Sequence, residues 1–120
     1  MYTLLALTLL ALSPTCIAQN YPSKPLRLLL PFSAGSGSDT FGRIYAGGMS
    51  EVLGQQVIVE NRAGAAGNIG AEIAARAPAD GHTLLVHSNS HTVTPATYRN
   101  LPYDPQKDFV GVTPLASVPP

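Results

Sequence analysis

The stretch Leu26-Arg27-Leu28-Leu29-Leu30-Pro31-Phe32-Ser33-Ala34-Gly35-Ser36-Gly37-Ser38-Asp39 decides the fold. Leu26 to Phe32 is almost continuously apolar, the pattern of a parallel strand buried on both faces; a half-exposed strand would alternate. Pro31 stands near its end, where a missing N–H harms a ladder least. Ser33 to Gly37 is a small-residue loop, and Ser38-Asp39 reads as a helix start.

Downstream, apolar residues recur at helical spacing at Phe41, Ile44, Tyr45, Met49, Val52 and Leu53, and Gly54 reads as the C-cap. Gly42, Gly47 and Gly48 each weaken that helix by about 0.5–1 kcal/mol against Ala, which fits either close packing or tolerance. Gln56 to Glu60 is a second strand, Asn68 to Ala77 an Ala-rich helix capped by Asn68 and stopped by Pro78, and Thr83 to Val86 a third strand. The order β-α-β-α-β predicts an α/β fold with a parallel sheet and right-handed crossovers. The chain after Ser88 reads as irregular, with Asp108 to Val112 offering a fourth strand. Upstream, Tyr21-Pro22-Ser23-Lys24-Pro25 is a stiff, extended lead-in.

The loop Phe32 to Asp39 carries the chemistry. The first N–H groups of a helix lack intrahelical acceptors, and the helix dipole adds partial positive charge there. Glycines at 35 and 37 let amides approach a ligand, and Ser36 and Ser38 add hydroxyls. Such a loop receives a carboxylate or phosphate without a basic side chain. The same residues also make a plain β–α turn capped by Ser38 or Asp39, and the residues by themselves leave both readings open. Asp39 itself is expected to brace the loop, because its charge would repel an anion.

Other constellations are weaker. Gly64-Ala65-Ala66-Gly67-Asn68-Ile69-Gly70 has glycines between a strand and a helix, but its spacing is not that of a dinucleotide fingerprint, and a packing role is favoured. His87 and His91, with His82, lack the further ligands that zinc requires. A polar loop at the C-terminal end of the third strand fits them better, since open α/β sheets bind ligands there. No G-x-S-x-G elbow gives the serines a nucleophile context, and no cofactor motif is complete, so the chain is expected not to be an enzyme.

Charge excludes more classes. Seven Lys+Arg balance seven Asp+Glu across 120 residues; with no basic stripe, nucleic acid is not an expected partner. The single cysteine, Cys16, precludes an intrachain disulfide. It lies in an N-terminal segment unlike the rest: Leu4 to Leu12 is apolar apart from Thr8, too short for the ~20 residues that span a bilayer. Small residues at Cys16 and Ala18 suit a signal peptidase. Residues 1–18 therefore read as a signal peptide, cleaved after Ala18, although Met1-Tyr2-Thr3 lacks a basic residue.

Several motifs, taken in order, carry a resemblance. They are Tyr21-Pro22-Ser23-Lys24-Pro25-Leu26-Arg27; Pro31-Phe32 with Gly35 and Asp39; Leu53-Gly54-Gln55; Val57-Ile58-Val59-Glu60-Asn61-Arg62; Gly64 to Gly70; Asp80-Gly81; and Leu101-Pro102-Tyr103-Asp104-Pro105 with Lys107-Asp108-Phe109. In that order and spacing the chain resembles the Bug family of periplasmic solute receptors, the TctC-type binding proteins of tripartite tricarboxylate transporters.

The resemblance implies a two-lobed, periplasmic-binding-protein-like (Venus flytrap) receptor in the periplasm. Residues 19–120 would form the N-terminal part of its first lobe, without the second. Its ligand would be a small mono-, di- or tricarboxylate, its partners the membrane subunits of the transporter. A flytrap sensor that passes a carboxylate signal to a membrane partner is the alternative, and a nucleotide-dependent oxidoreductase a remoter one. The family clamps its ligand with β–α loops. The first maps to Phe32, Ser33, Ala34, Gly35, Ser36, Gly37, Ser38 and Asp39, and Ser88, Asn89, Ser90 and His91 look like a second contact region. Gly35-Ser36 departs from the Gly-Gly often found in the family.

Overall fold

The computed structural model describes residues 20–117, so the expected leader, residues 1–18, lies outside the described residues. The elements are β1 (Leu26–Leu30), α1 (Gly37–Leu53), β2 (Val57–Asn61), a 3-10 turn (Ala65–Gly67), α2 (Asn68–Ala75), β3 (Thr83–Leu85) and α3 (Ser90–Thr97). The β-α-β-α-β order follows the sequence reading. The strands form one parallel sheet of order β2-β1-β3, with Leu28 opposite both Val59 and Leu84. This is the α/β class expected.

The first strand is central because it is apolar on both faces. Leu26, Leu28, Leu29 and Leu30 are all buried, and Arg27 escapes by pairing with Glu60 on β2 at 2.8 Å. Leu26 and Leu28 meet Ala46, Met49 and Leu53 of α1, and Val57, Val59, Leu84 and Val86 complete that cluster. Alternation sends Leu29 to the opposite face. Helix α1 packs on β1 and β2, and α2 on β1 and β3. Crossovers of one hand that run in opposite directions across the sheet, from β1 to β2 and then from β2 back to β3, place the two helices on opposite faces.

The buried stripe of α1 differs from the apolar spacing in the sequence. Asp39, Gly42 and Ala46 face inward, whereas Phe41, Ile44 and Val52 are exposed. The glycines explain the choice: a Cβ at Gly42 would stand 2.6 Å from a methyl of Leu30, while Gly47 and Gly48 have open space. Close packing therefore applies to Gly42 alone of the three. Helix α1 ends at Gly54 in the left-handed conformation (φ 64°), where its N–H donates to the Ser50 carbonyl, as the C-cap reading anticipates.

Three expectations need correction. The chain after Ser88 is not wholly irregular, because Ser90–Thr97 forms α3. Threonines and Pro95 lower its intrinsic propensity, but Thr92 and Thr94 hydroxyls donate to the carbonyls of Asn89 (2.7 Å) and Ser90 (2.8 Å), holding the turns. Asp108 to Val112 forms no strand. Val110 and Val112 are exposed, and among the described residues no strand lies alongside to supply ladder hydrogen bonds. Asn68 is not the cap of α2: Gly67 is, and the Asn68 side chain turns to Tyr103, whose hydroxyl donates to its Oδ1 at 2.8 Å.

Candidate functional site

The C-terminal ends of β1 and β3 are where this strand order reverses: the chain leaves β1 towards β2, then crosses back to β3. Such a switch point opens a crevice between the loops above the sheet, the usual ligand position in open α/β folds. The loops that the sequence singles out, Phe32 to Asp39 and Ser88 to His91, stand at these two strand ends.

In the first loop Phe32 is half-buried, Ser33, Ala34 and Gly35 are exposed, and Gly35 takes φ 80°, a conformation that a side chain would strain. Ser33 accepts the Ser36 N–H at 3.2 Å, closing the turn. Ser36, two or three residues earlier than expected, is the N-cap of α1, its Oγ accepting from the Asp39 N–H at 3.2 Å. Gly37 and Ser38 occupy the first turn, exposed, and among the described residues their N–H groups find no acceptor. They are the donors that a bound anion could use.

Asp39 takes the bracing role expected. It is buried, and its Oδ2 accepts the Gly35 N–H at 2.9 Å and Arg43 Nε at 3.1 Å. The Asn61 amide donates to its Oδ1 at 2.9 Å and to the Phe32 carbonyl at 3.2 Å. The Gly35 amide, then Arg43, then Asn61 lower the Asp39 pKa to about 2. The Gly35 amide therefore faces inward to Asp39, and the glycine with open space over the helix terminus and no positive φ is Gly37.

The second loop begins at His87. Its ring packs edge-on to Phe32 with centroids 6.0 Å apart, which joins the two loops. Ser88 and Asn89 are exposed, the Ser88 and Ser90 hydroxyls share a hydrogen bond of 2.7 Å, and Asn89 caps α3 through its carbonyl, which accepts the Thr92 N–H. His91 sits in α3, half-buried. Its ring lies 4.9 Å from that of His87, stacks on Tyr103 and meets Phe109 edge-on. It is thus part of an aromatic cluster with the chain after α3. Burial lowers the pKa of both histidines, and the neighbouring His91 lowers His87 further. Among the described residues no group of three or more His, Cys, Asp or Glu is placed to hold a metal ion.

The glycine stretch after β2 serves packing. A Cβ at Gly70 would lie 2.9 Å from the Pro31 Cβ and 3.0 Å from the Arg62 carbonyl, so α2 touches the end of β1 directly. The turn before it holds Ala65 and Ala66 at φ 47° and 54°, an uncommon conformation for alanine.

Sequence reasoning did not place Asn61 or Arg43 at the site. Asn61 reaches the site because the parallel register sets it opposite Leu30, just ahead of the loop, a pairing that no local pattern announces.

The fold defines a class: a small parallel α/β sheet with helices on it, as in periplasmic binding proteins. Residues 41–120 match the family described as "Tripartite tricarboxylate transporter family receptor" (TctC). The chain belongs to this family of solute receptors. It is 47% identical over 118 residues to a UPF0065 protein of Bordetella bronchiseptica, an alignment covering 97% of this chain and 35% of that protein. Among solved structures it resembles the periplasmic binding protein BugD (38% identity, TM-score 0.71), covering 74% of this chain and 30% of that one. It also resembles MatC from Rhodopseudomonas palustris with bound malate (37%, TM-score 0.68; 74% and 31%) and an R. palustris protein with adipate (36%, TM-score 0.67; 72% and 29%). The chain spans about a third of the length of the Bordetella relative it matches.

Proposed function

We propose that this chain is the N-terminal part of the first lobe of an extracytoplasmic receptor. It captures a small carboxylate for a tripartite tricarboxylate-type transporter. Residues 1–18 direct export to the periplasm and are removed after Ala18. The observation that carries the reading is the pair of amides of Gly37 and Ser38, without an acceptor among the described residues, beside the Ser36 and Ser38 hydroxyls, at a helix N-terminus above the switch point. A carboxylate satisfies those donors and the helix dipole together, and a hydrogen bond to a charged group is worth about 1.5–3 kcal/mol net. The dicarboxylates in two family structures, malate and adipate, supply the ligand class. The contact set comprises residues 32–38, with Ser88, Asn89 and His91 as its flank; Asp39 closes the loop as a brace and does not touch the ligand. The membrane subunits of the transporter are the partners.

Titration calorimetry of the full-length, two-lobed receptor that contains this chain, with acetate, malate, adipate and citrate, tests the reading. Saturable one-to-one binding of at least one acid is expected. Absence of binding across the panel refutes it.

A further inference from the structure

Asn61 holds both ends of the anion loop. It is the last residue of β2, opposite Leu30 in the register. Its Nδ2 donates to the Phe32 carbonyl at 3.2 Å and to Asp39 Oδ1 at 2.9 Å, and its Oδ1 accepts from Arg43 Nη2 at 3.2 Å. Arg43 Nε closes the ring on Asp39 Oδ2 at 3.1 Å. A carboxamide fits this position on simple counting: two N–H hydrogens serve two acceptors, and its oxygen takes one arginine hydrogen. An aspartate would set a second carboxylate against Asp39, and an alanine would offer neither bond.

We propose that Asn61, together with Arg43, is a positioning residue for carboxylate recognition. It fixes Asp39 so that the Gly35 amide stays engaged inside the loop while the amides of Gly37 and Ser38 remain directed at the solute. Arg43 adds a charge role. Asp39 places a negative charge in the same first helical turn as the amides proposed to hold the solute carboxylate, and the guanidinium offsets it. This inference rests on the carboxylate-binding reading above.

Wild type, Asn61→Ala and Asn61→Asp, each in the full-length receptor that contains this chain, are titrated with malate and adipate from about pH 8 to about pH 5, a range that spans a carboxyl pKa raised above its ordinary value. Amide hydrogen exchange is followed in parallel. The charged groups around position 61 are Asp39 and Arg43 of α1, with Glu60 beside it on the strand held by Arg27 and Arg62. Affinities are read as the ratio to wild type at each pH, which removes titration of the solute and of the histidines. Asn61→Ala is expected to weaken binding at least about tenfold at every pH, the lower end for losing bonds to a charged group. The Gly35 and Asp39 amides should exchange faster, with Leu28 and Leu29 still protected. Asn61→Asp should lose as much near pH 8 and recover towards pH 5, because the protonated acid can again donate to Asp39. Unchanged affinity and exchange in Asn61→Ala overturns the proposal. So does a flat pH ratio in Asn61→Asp, or loss of protection throughout β1, which marks a merely structural residue. If wild type binds none of acetate, malate, adipate and citrate, the carboxylate reading fails, and the exchange of Gly35 and Asp39 alone decides whether Asn61 positions the loop.

Discussion

The backbone N–H of Gly35 donates to the carboxylate of Asp39 at 2.9 Å, so the loop ahead of α1 carries an anion of its own. The charge is buried yet supported on three sides, and its folded pKa of about 2 lies below the ~3.9 of an unfolded aspartate.

Acid should therefore loosen this loop over a defined window. As the pH falls, the unfolded chain takes up the proton first, so the contribution of Asp39 is complete above about pH 4 and is lost as pH falls towards 2. Asp80, lowered to about 2 by Lys24 and then by the His82 amide, adds in the same direction. Asp39→Asn should flatten this limb of a denaturant-midpoint-versus-pH curve. An unchanged limb would remove Asp39 from the account. His87 and His91, whose values are depressed by burial, act at milder pH: their contribution is full above about 6.5 and declines as pH falls through their lowered folded values.

The three glycines of α1 should separate cleanly on replacement by alanine. Gly47→Ala and Gly48→Ala meet open space and should stabilise by about 0.5–1 kcal/mol each through helix propensity. Gly42→Ala should destabilise by about 1–3 kcal/mol, because Leu30 is fully buried and cannot retreat. Urea midpoints decide, and a stabilised Gly42→Ala would mean that α1 stands off the sheet.

Gly35 and Gly37 divide strain from access. Gly35→Val places a β-branched residue at φ 80° and should cost about 1–3 kcal/mol of stability along with binding. Gly37→Val suffers no such strain, so stability should move by no more than about 0.5 kcal/mol. The new side chain nevertheless stands over the exposed amides and should lower carboxylate affinity severalfold. If calorimetry finds Gly37→Val unimpaired with the best acid, the loop is a turn and not a contact.

Tyr103 and Asn68, both buried, tie the chain after α3 to α2. Tyr103→Phe leaves the Asn68 oxygen without a donor and should cost about 1–3 kcal/mol. Removing both polar groups in Tyr103→Phe with Asn68→Leu should recover part of that loss, since neither partner then remains unpaired. A strictly additive double mutant would show that the hydrogen bond contributes nothing.

Local chemistry made much of this legible in advance. Continuous apolarity marked Leu26 to Leu30 as a strand buried on both faces, Gly54 ended the first helix, and Asp39 could be assigned a bracing role from its charge alone. What escaped depended on contacts distant in sequence. The arm of Asn61 comes from a strand 22 residues away from Asp39, and no local pattern announces it. Helix α3 was hidden because threonine hydroxyls and an aromatic cluster, not propensity, hold it. The exposed side of α1 misled in the other direction: Phe41, Ile44 and Val52 have the spacing of a core face, but glycine and alanine let the opposite side approach the sheet.

The strand order has a consequence in time. The first strand to leave the ribosome is the centre of the sheet, and both of its neighbours are made later. At translation rates of about 5–20 residues per second, Leu26–Leu30 waits on the order of seconds for Val57 and roughly twice as long for Thr83. During that interval the most apolar segment of residues 20–117 has no partner on either edge. Nascent chains from which Leu26–Leu30 has emerged and Val57–Asn61 has not should therefore be the ones that chaperones hold most firmly.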